Sequence, residues 1–430
     1  MTDASDLLRE RVVSKVTRRI IPFIFLCYVV AYLDRVNIGM AKGLGTDLGL
    51  SKEQLGLGAG LFFFGYFLFE VPSNLILHRV GARIWIARIM IVWGFMTMAT
   101  IWVSNKWSFY GMRVLLGLAE AGFFPGIVLY LTYWVPARER ARMGALFMMA
   151  APVAVAIGSP ISGALLRLHG SAGLKGWQWL FLLEGLPAVL LGVLTFFCLP
   201  SKPEDVGWLD PDEREWLAAE LDRERAAKGA LAHASIWESL RNPKLWVLCF
   251  FLFLNTTVTY GIFLWLPDIL QKVSGQQDLK LGLLSGSTLI PAIFGMILIT
   301  AHSDRKQERR WHTAFCCAVA AVGLVLTVLS GKTVGLVWVS LVICHIGQRT
   351  VQAVFWTIPP IFLGGVAAAA GIALINSIGN LGGQVGPWFM GRLYDHFKSY
   401  NPGLLTLAGI VMLQAVIVLS LRLTPKGQAA

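Results

Sequence analysis

Apolar runs of about 20 residues recur along this 430-residue chain, and they limit its fold more than any other feature. A helix of roughly 20 apolar residues spans the hydrocarbon core of a bilayer. A soluble chain with 56% hydrophobic and only 14% charged residues would expose too much apolar surface, so we predict a polytopic membrane protein. The twelve predicted spans are residues 20–41, 55–77, 84–103, 108–134, 143–166, 178–199, 244–267, 281–301, 312–330, 334–358, 367–390 and 403–423.

Lysine and arginine residues are distributed unevenly between the two sides of these spans. With both termini placed in the cytoplasm, 24 of the 37 lie on or beside cytoplasmic segments, 10 on or beside outer segments and 3 within spans. Cytoplasmic loops of membrane proteins carry an excess of these residues, which favours this orientation. The net charge of +12 is thereby explained, and we expect no nucleic-acid partner.

Metal and cofactor sites are not expected. The six cysteines lie within or beside spans, without CxxC spacing or a ligand cluster, so we predict neither a metal nor a disulfide. The sequence also lacks a nucleophile–base pairing and a phosphate-binding loop, which argues against an enzyme.

The spans divide into two sets of six, which predicts an all-α membrane protein with two six-helix bundles. The predicted units are a cytoplasmic N-terminal segment (1–19), a first bundle (20–199), a cytoplasmic linker (200–243), a second bundle (244–423) and a cytoplasmic tail (424–430). A short linker helix is expected from about Asp210 to about Lys228, since a proline and acids mark its start. Basic turns recur at matching positions in both halves, which is typical of transporters whose bundles move about a central site.

The first span contains an acid and a base side by side, Asp34 and Arg35. Placing either charge near the middle of a membrane helix costs roughly 2.5–3.5 kcal/mol, unless it faces a bundle interior or a water-filled cavity. Tyr28, Tyr32, Arg35 and Gly39 share one helix face, and Asp34 flanks it. We interpret Arg35 as an anion-binding group and Asp34 as a proton-sensing or proton-carrying group; the alternative is a structural ion pair.

The fourth span holds a second acid and base, with Arg113, Gly117, Glu120 and Phe124 on one face. A low-dielectric cavity disfavours a charged carboxylate, and a nearby arginine favours it. A substrate that approaches or leaves the arginine can therefore change the proton affinity of the acid. We predict a proton-coupling role for Glu120 with Arg113; a structural pair is the alternative.

Motifs spread over nearly the whole chain resemble the major facilitator superfamily and, within it, the anion:cation symporter family. The matching stretches are Tyr32-x-Asp34-Arg35-x-Asn37, Phe69-Glu70-Val71-Pro72-Ser73-Asn74, the run from Arg113 to Gly126, Trp179-Leu180-Phe181-x-x-Glu184-Gly185, Trp265-Leu266-Pro267, Ser303-Asp304-Arg305 with Glu308-Arg309-Arg310-Trp311, and Phe355-Trp356-x-x-Pro359. The resemblance implies the twelve-helix major facilitator fold, a multi-pass location in the bacterial inner (plasma) membrane and proton-driven uptake of organic anions.

The resemblance also implies roles for individual residues. Arg35 would be the carboxylate anchor, Asp34 and Glu120 the proton sites, and Tyr32, Tyr66 and Trp356 cavity-lining groups. One departure from the family pattern is His78, which stands where an aspartate usually helps to close the cytoplasmic gate; it is interpreted as a pH-sensitive gate residue or as a neutral packing residue. The predicted gating residues are Glu70, Arg79, Arg83, Asp304 and Arg305.

Polar residues of the seventh and eleventh spans are further candidates for substrate binding. Asn255 and Thr259 lie one turn apart and are expected to contact a hydroxylated substrate or to bond other helices. Asn376 and Asn380 follow each other at an i+4 step among glycines, which suits a moving helix that lines a site.

The tenth span carries Arg349, the only lysine or arginine of the second half that is predicted to be buried. Gln352, Trp356 and His345 share its face. Because arginine binds carboxylates through two parallel hydrogen bonds, a second guanidinium facing Arg35 would suit a substrate with two carboxylates. Pairing of Arg349 with a neighbouring helix is the alternative.

The predicted function is proton symport of a small organic anion by alternating access. A hydroxy-dicarboxylate such as tartrate, or a sugar acid, is the expected substrate, and the carrier is expected to be a monomer. An aromatic-acid symporter for hydroxyphenylacetate- or phthalate-like substrates and an organic-acid efflux antiporter are alternatives. Sodium coupling remains open, and a non-transporting anion sensor is a remote alternative.

Overall fold

A computed structural model describes residues 4–229, 241–359 and 365–421, and the regular secondary structure in these ranges is helical. The first half contains α1 (Ala4–Met40), α2 (Lys42–Asp47), α3 (Lys52–Val80), α4 (Ala82–Ala99), α5 (Lys106–Glu120), α6 (Phe123–Thr132), α7 (Ala137–Met148), α8 (Ala150–Leu166) and α9 (Gly176–Cys198), followed by α10 (Pro211–Gly229) in the linker. The second half contains α11 (Pro243–Ser274), α12 (Asp278–Ser287), α13 (Leu289–Lys306), α14 (Arg310–Leu329), α15 (Val334–Phe355), α16 (Gly365–Asn380), α17 (Gly382–Phe397) and α18 (Asn401–Ser420).

Twelve membrane crossings are built from these helices. Among the described residues, eleven helical segments are long and apolar enough to cross a membrane. The remaining crossing consists of α16 and α17, which are each too short to cross alone and follow one another across Leu381. The predicted fold class, twelve transmembrane helices in two six-helix bundles, is confirmed.

Local capping interactions explain where several crossings begin and end. Ser51 starts α3 by accepting a hydrogen bond from the backbone nitrogen of Gln54, and Asn105 caps α5 in the same way. Gly81 separates α3 from α4 with a φ of 94°, a conformation that residues with a Cβ rarely adopt. These caps satisfy backbone donors that have no partner within their own helix.

The residues before the first predicted span are part of a longer helix. Helix α1 is continuous from Ala4, and its first part packs against the linker helix α10. The amino group of Lys15 lies 2.9 Å from Asp210 and 2.7 Å from Glu213. We call the face of the molecule that carries these groups the terminal face, and the other the opposite face.

The two bundles pack internally and also touch each other. In the first bundle α4 packs on α9, α3 on α5, and α1 on α8; in the second, α14 packs on α15 and α18, and α11 on α16 and α17. Helices α3 and α17 form one contact between the bundles, and α8 and α12 form another. A cavity lies between the bundles.

Candidate functional site

A cavity of about 500 Å³ lies between the two bundles. Its lining includes most of the residues predicted to bind substrate: Arg35, Tyr32, Tyr66, Arg349, Gln352, Trp356, Asn376 and Asn380. The cavity has two walls, one from each bundle. Such a volume suits a small organic molecule.

The wall of the first bundle is organised around Arg35. Its Nε lies 2.9 Å from Oε1 of Glu120, and Nη2 bonds the same oxygen. The guanidinium also lies against the rings of Tyr32, Phe62 and Tyr66, at 5.2–5.6 Å from their centroids. Arg35 is 13% exposed, whereas Glu120 is fully buried. Since one oxygen of Glu120 takes both bonds, its Oε2 has no partner among the described residues.

Asp34 lies behind this wall rather than in it. Its two carboxylate oxygens accept hydrogen bonds from the amide of Asn37, at 2.9 Å, and from the hydroxyl of Thr97, at 3.0 Å. Arg113 is also buried and donates to the backbone oxygen of Ala59 at 3.2 Å. Asp34 and Arg113 interact electrostatically without forming a close ion pair. The structure therefore pairs Arg35 with Glu120, and neither the Asp34–Arg35 nor the Arg113–Glu120 pair is formed.

The fourth crossing breaks immediately after Glu120, where the sequence predicted a continuous span. Helix α5 ends at Glu120, Gly122 adopts a left-handed conformation with a φ of 88°, and α6 then begins. The hydroxyl of Ser73 donates to the backbone oxygen of Ala121 at 2.7 Å, which compensates one hydrogen bond lost at the break. A Cβ at position 122 would collide with Ser73. Broken helices of this kind occur where backbone lines a cavity or is buried in protein.

The wall of the second bundle carries Arg349, which forms no ion pair with a described acidic side chain. Its charge interacts with the phenol groups of Tyr32 and Tyr260, which line the same cavity. Gln352 and Trp356 continue this wall. The two bundles thus contribute one guanidinium each, with tyrosine rings nearby.

Asn255 does not join the cavity lining that was predicted for it. It is 1% exposed, and its amide has no partner among the described residues. Its backbone oxygen accepts a hydrogen bond from Gln348, which also donates to Thr259 at 3.1 Å. Thr256 and Thr259, one and four residues after Asn255 on helix α11, line the cavity instead of Asn255.

The predicted gating residues are divided between the cavity and the surface. Glu70 of α3 accepts hydrogen bonds from Asn376, at 2.8 Å, and from Ser377, at 2.6 Å, and so joins the two bundles. Asp304 lines the cavity and pairs with Arg309 at the exposed end of α13. The three predicted gating arginines do not line the cavity. Arg79 and Arg305 are exposed, and Arg83 is partly buried. The side chain of His78 lies outside the described residues.

Four polar residues, which we call the Asp268 cluster, join the bundles at the opposite face. The amino groups of Lys42 and Lys52 lie 3.0 Å and 2.8 Å from the carboxylate of Asp268, and the hydroxyl of Tyr400 donates to it. The lysines belong to the first bundle and the other two residues to the second. The sequence reasoning missed this cluster because its members stand at span ends, where charges are ordinary.

Glycines bring the bundles into backbone contact on the same side. Gly56 and Gly60 of α3 lie against α17, and Gly282 and Gly286 of α12 lie against α8, without room for a Cβ at any of the four. Small residues four apart allow such close helix packing. At the other end, the cavity reaches Asp304 and other exposed residues of α13. The cavity is therefore closed towards the opposite face and extends to the terminal face.

Aromatic lining residues were only partly predicted. Tyr28, Phe62, Phe63, Phe124 and Tyr260 all line the cavity. The positions of Tyr28 and Phe124 on the same helix faces as Arg35 and Glu120 were the signal that could have identified them.

Comparison with known proteins agrees with this architecture. The sequence profile of the Major Facilitator Superfamily matches residues 24–387. A protein described as a "Putative tartrate transporter" from Agrobacterium vitis is 48% identical over 97% of this chain and 96% of its own length. A "Quinolone resistance transporter" from Acinetobacter baumannii is 42% identical over 95% of this chain and 94% of its own.

The same holds for solved structures. The inward-open conformation of the xylose transporter XylE from E. coli superposes with a TM-score of 0.76 at 14% identity, covering 95% of this chain and 97% of that one. The likeness concerns the fold. The predicted superfamily is confirmed, and so is the prediction that the protein is not an enzyme. The chain is a multi-pass membrane transporter of small molecules and belongs to the Major Facilitator Superfamily.

Proposed function

We propose that this transporter imports a small hydroxy-dicarboxylate, such as tartrate, together with protons. The observation that carries the proposal is the presence of one arginine on each wall of a single cavity, Arg35 and Arg349. Each guanidinium can bind one carboxylate through two hydrogen bonds. The 48% identity to a protein described as a tartrate transporter supports the same substrate class.

The contact between Arg35 and Glu120 supports the proposed coupling to protons. A substrate carboxylate that reaches Arg35 competes with Glu120 for the same donors. Once displaced, Glu120 is a buried carboxylate without a cation, and a proton neutralises it. Protonated Glu120 leaves Arg35 free for the substrate, so anion and proton bind together. Release of the anion towards the terminal face restores the ion pair and expels the proton.

The excess of basic residues on the terminal face supports a cytoplasmic location for this face. The cavity then extends towards the cytoplasm, and the Asp268 cluster closes the periplasmic side of the bacterial inner membrane. In this interpretation Glu70 and the exposed end of α13 belong to the gate that closes in the other half of the cycle.

The net charge carried with each substrate molecule determines whether the membrane potential or the pH gradient drives uptake. Moving one elementary charge through 100 mV is worth about 2.3 kcal/mol. A dianion carried with two protons, held by Asp34 and Glu120, is electroneutral, so the pH gradient drives its uptake. We expect a monomer to complete this cycle because both walls of the cavity come from one chain.

An aromatic acid is the second candidate substrate, and the aromatic lining favours it. Tyr28, Phe62, Phe63 and Phe124 form a surface on which a ring can pack. The relative described as a quinolone resistance transporter makes export of an aromatic acid the corresponding alternative direction.

The test is uptake into proteoliposomes with an imposed pH gradient, using tartrate, a six-carbon aldarate, a sugar monocarboxylate and hydroxyphenylacetate. We expect the two dicarboxylates to accumulate, and a protonophore to abolish accumulation. Accumulation that survives the protonophore and follows a sodium gradient would contradict proton coupling. A preference for hydroxyphenylacetate would mean that the substrate is an aromatic acid and not a dicarboxylate.

A further inference from the structure

Glu70 of α3 is a buried acid whose two carboxylate oxygens are held by two successive residues of α16. The amide nitrogen of Asn376 lies 2.8 Å from Oε1, and the hydroxyl of Ser377 lies 2.6 Å from Oε2. Glu70 is 4% exposed, and none of the described lysines or arginines forms an ion pair with it. Two hydrogen bonds from one helix therefore hold this carboxyl group in place.

The bond to Glu70 also determines the orientation of the Asn376 amide. An ionised carboxylate only accepts hydrogen bonds, and in an asparagine side chain only the nitrogen donates, so Nδ2 has to face Glu70. The hydroxyl of Ser377 can either donate or accept. A proton on Oε2 of Glu70 would therefore leave the bond between Oε1 and Asn376 unchanged. The carbonyl oxygen of the amide, Oδ1, is the end that Glu70 does not use.

This carbonyl oxygen is available to a molecule in the cavity. Asn376 lines the cavity, whereas Glu70 does not. Oδ1 of Asn376 accepts no hydrogen bond from the described residues, and it is not buried. Asn380, one turn further along α16, also lines the cavity, but no described residue bonds its amide. Asn376 thus presents a hydrogen-bond acceptor of fixed orientation, and Asn380 can turn either end of its amide to a ligand.

The acceptor lies close to the group that binds a substrate carboxylate. Glu70 stands one helical turn after Tyr66, whose ring centroid is 5.6 Å from the guanidinium carbon of Arg35. One turn advances about 6 Å along the helix axis. Arg35 and Asn376 line the same cavity. In an α-hydroxy acid such as tartrate the hydroxyl is on the carbon next to the carboxylate, so one molecule can reach both groups.

We propose that Glu70 is a positioning residue for substrate selection, because it holds the amide of Asn376 with Oδ1 ready to accept a hydrogen bond from a substrate hydroxyl. A hydroxyl donates to this oxygen, whereas a methylene group at the same carbon has no proton to offer. A carbonyl places a second acceptor against Oδ1, which leaves both oxygens without a donor. The site therefore selects hydroxy-dicarboxylates over keto- and unsubstituted dicarboxylates of the same length. This proposal rests on the import of dicarboxylates proposed above.

The experiment compares three competitors of labelled tartrate uptake in proteoliposomes. Malate, freshly prepared oxaloacetate and succinate each have four carbons and two carboxylates, and they differ at one carbon, which carries a hydroxyl, a carbonyl or neither. We expect the wild type to bind malate roughly tenfold more tightly than the other two, because leaving a polar group without its partner costs about that factor. A preference below twofold in the wild type would overturn the proposal.

Two variants separate the orientation of the amide from the general stability of the contact. Glu70→Met removes the acceptor but keeps the approximate size of the side chain, so the amide of Asn376 can turn and Nδ2 can donate to the carbonyl of oxaloacetate. The preference for malate over oxaloacetate should fall at least fivefold. Ser377→Ala is the matched control, because it removes the other hydrogen bond to the same carboxyl group, and its preference should stay within twofold of the wild type. Weaker binding of all competitors by the same factor in Glu70→Met would overturn the proposal, since a purely structural role has that effect.

Asn376→Leu covers the case in which Glu70→Met does not fold. This variant lacks Oδ1, so the inhibition constants of the three competitors should lie within about twofold of one another, and a retained preference for malate would overturn the proposal. The wild type distinguishes this failure from that of the proposed function. If it transports tartrate without preferring malate, only the role of Glu70 and Asn376 is wrong; if it neither transports tartrate nor binds the competitors, dicarboxylate import is wrong as well.

Discussion

The two walls of the cavity differ in how their charges are compensated. In the first bundle, Arg35 is bonded to Glu120, and two further acids lie buried behind it. In the second bundle, Arg349 has no described acidic partner and is surrounded by tyrosine and amide groups. An arginine that is paired with a carboxylate, such as Arg35, can exchange this carboxylate for that of a substrate. An arginine without an acidic partner, such as Arg349, attracts a substrate carboxylate but releases no other anion. We infer that the first wall couples transport to protons and the second wall selects the substrate.

The largest effect is expected from Arg35→Gln. It removes the donors for a substrate carboxylate and leaves Glu120 buried without a cation, which costs about 3–5 kcal/mol for such pairs. Uptake of every substrate should fall by roughly 100-fold or more. The control is Arg88→Gln, since Arg88 lies on the ring of Trp85 at 4.4 Å and does not line the cavity. Uptake in Arg35→Gln within tenfold of the wild type would contradict the assigned role.

Glu120→Gln should separate transport from coupling. Glutamine keeps the side-chain size but cannot carry a proton, so accumulation driven by a pH gradient should be lost. Exchange of labelled substrate should remain within a few-fold of the wild type, because it needs no net proton movement. Parallel measurement of Glu220→Gln, in the linker helix α10, controls for the chemical change alone. Persistent accumulation in Glu120→Gln would place coupling elsewhere.

Arg349→Gln tests the second wall by itself. A hydrogen bond to a charged group contributes about 1.5–3 kcal/mol, so uptake of a dicarboxylate should fall roughly 10- to 100-fold. Uptake of a sugar monocarboxylate should change less than twofold, and its proton dependence should persist. Arg392→Gln is the matched control, because Arg392 lies on the ring of Trp388 outside the cavity. Equal losses for both substrates would remove the distinction between the walls.

The smallest effect is expected from Asp268→Asn, which weakens the contact between the bundles without touching either wall. Loss of the paired charge should increase the population open at the opposite face by about three- to tenfold, or roughly 0.7–1.4 kcal/mol. Distances between spin labels at Ser171 and Lys332 would measure this population. Substrate preference should stay the same, since Asp268 does not line the cavity. A change in preference would mean that closure and selection are not independent.

Much of the fold was predictable from local patterns. The number of crossings, the division into two halves and the linker helix all follow from the length of apolar runs and from turn residues. Those signals are local because bilayer thickness sets the length of each helix independently of its neighbours. The break of the fourth crossing at Gly122 was not predicted, since glycine also occurs within transmembrane helices and the hydrogen bond from Ser73 at the break comes from another helix.

The composition of the candidate site was predicted better than its connections. Intramembrane charges and their helix faces identified Arg35, Glu120 and Arg349 from the residues alone, because a charge inside a bilayer needs a polar surrounding. Which charges meet was decided by the tertiary structure: Arg35 bonds Glu120, 85 residues away, rather than its neighbour Asp34. Partner choice, the burial of Asn255 and the closure at Asp268 depend on how separate helices pack, and no local pattern encodes that packing.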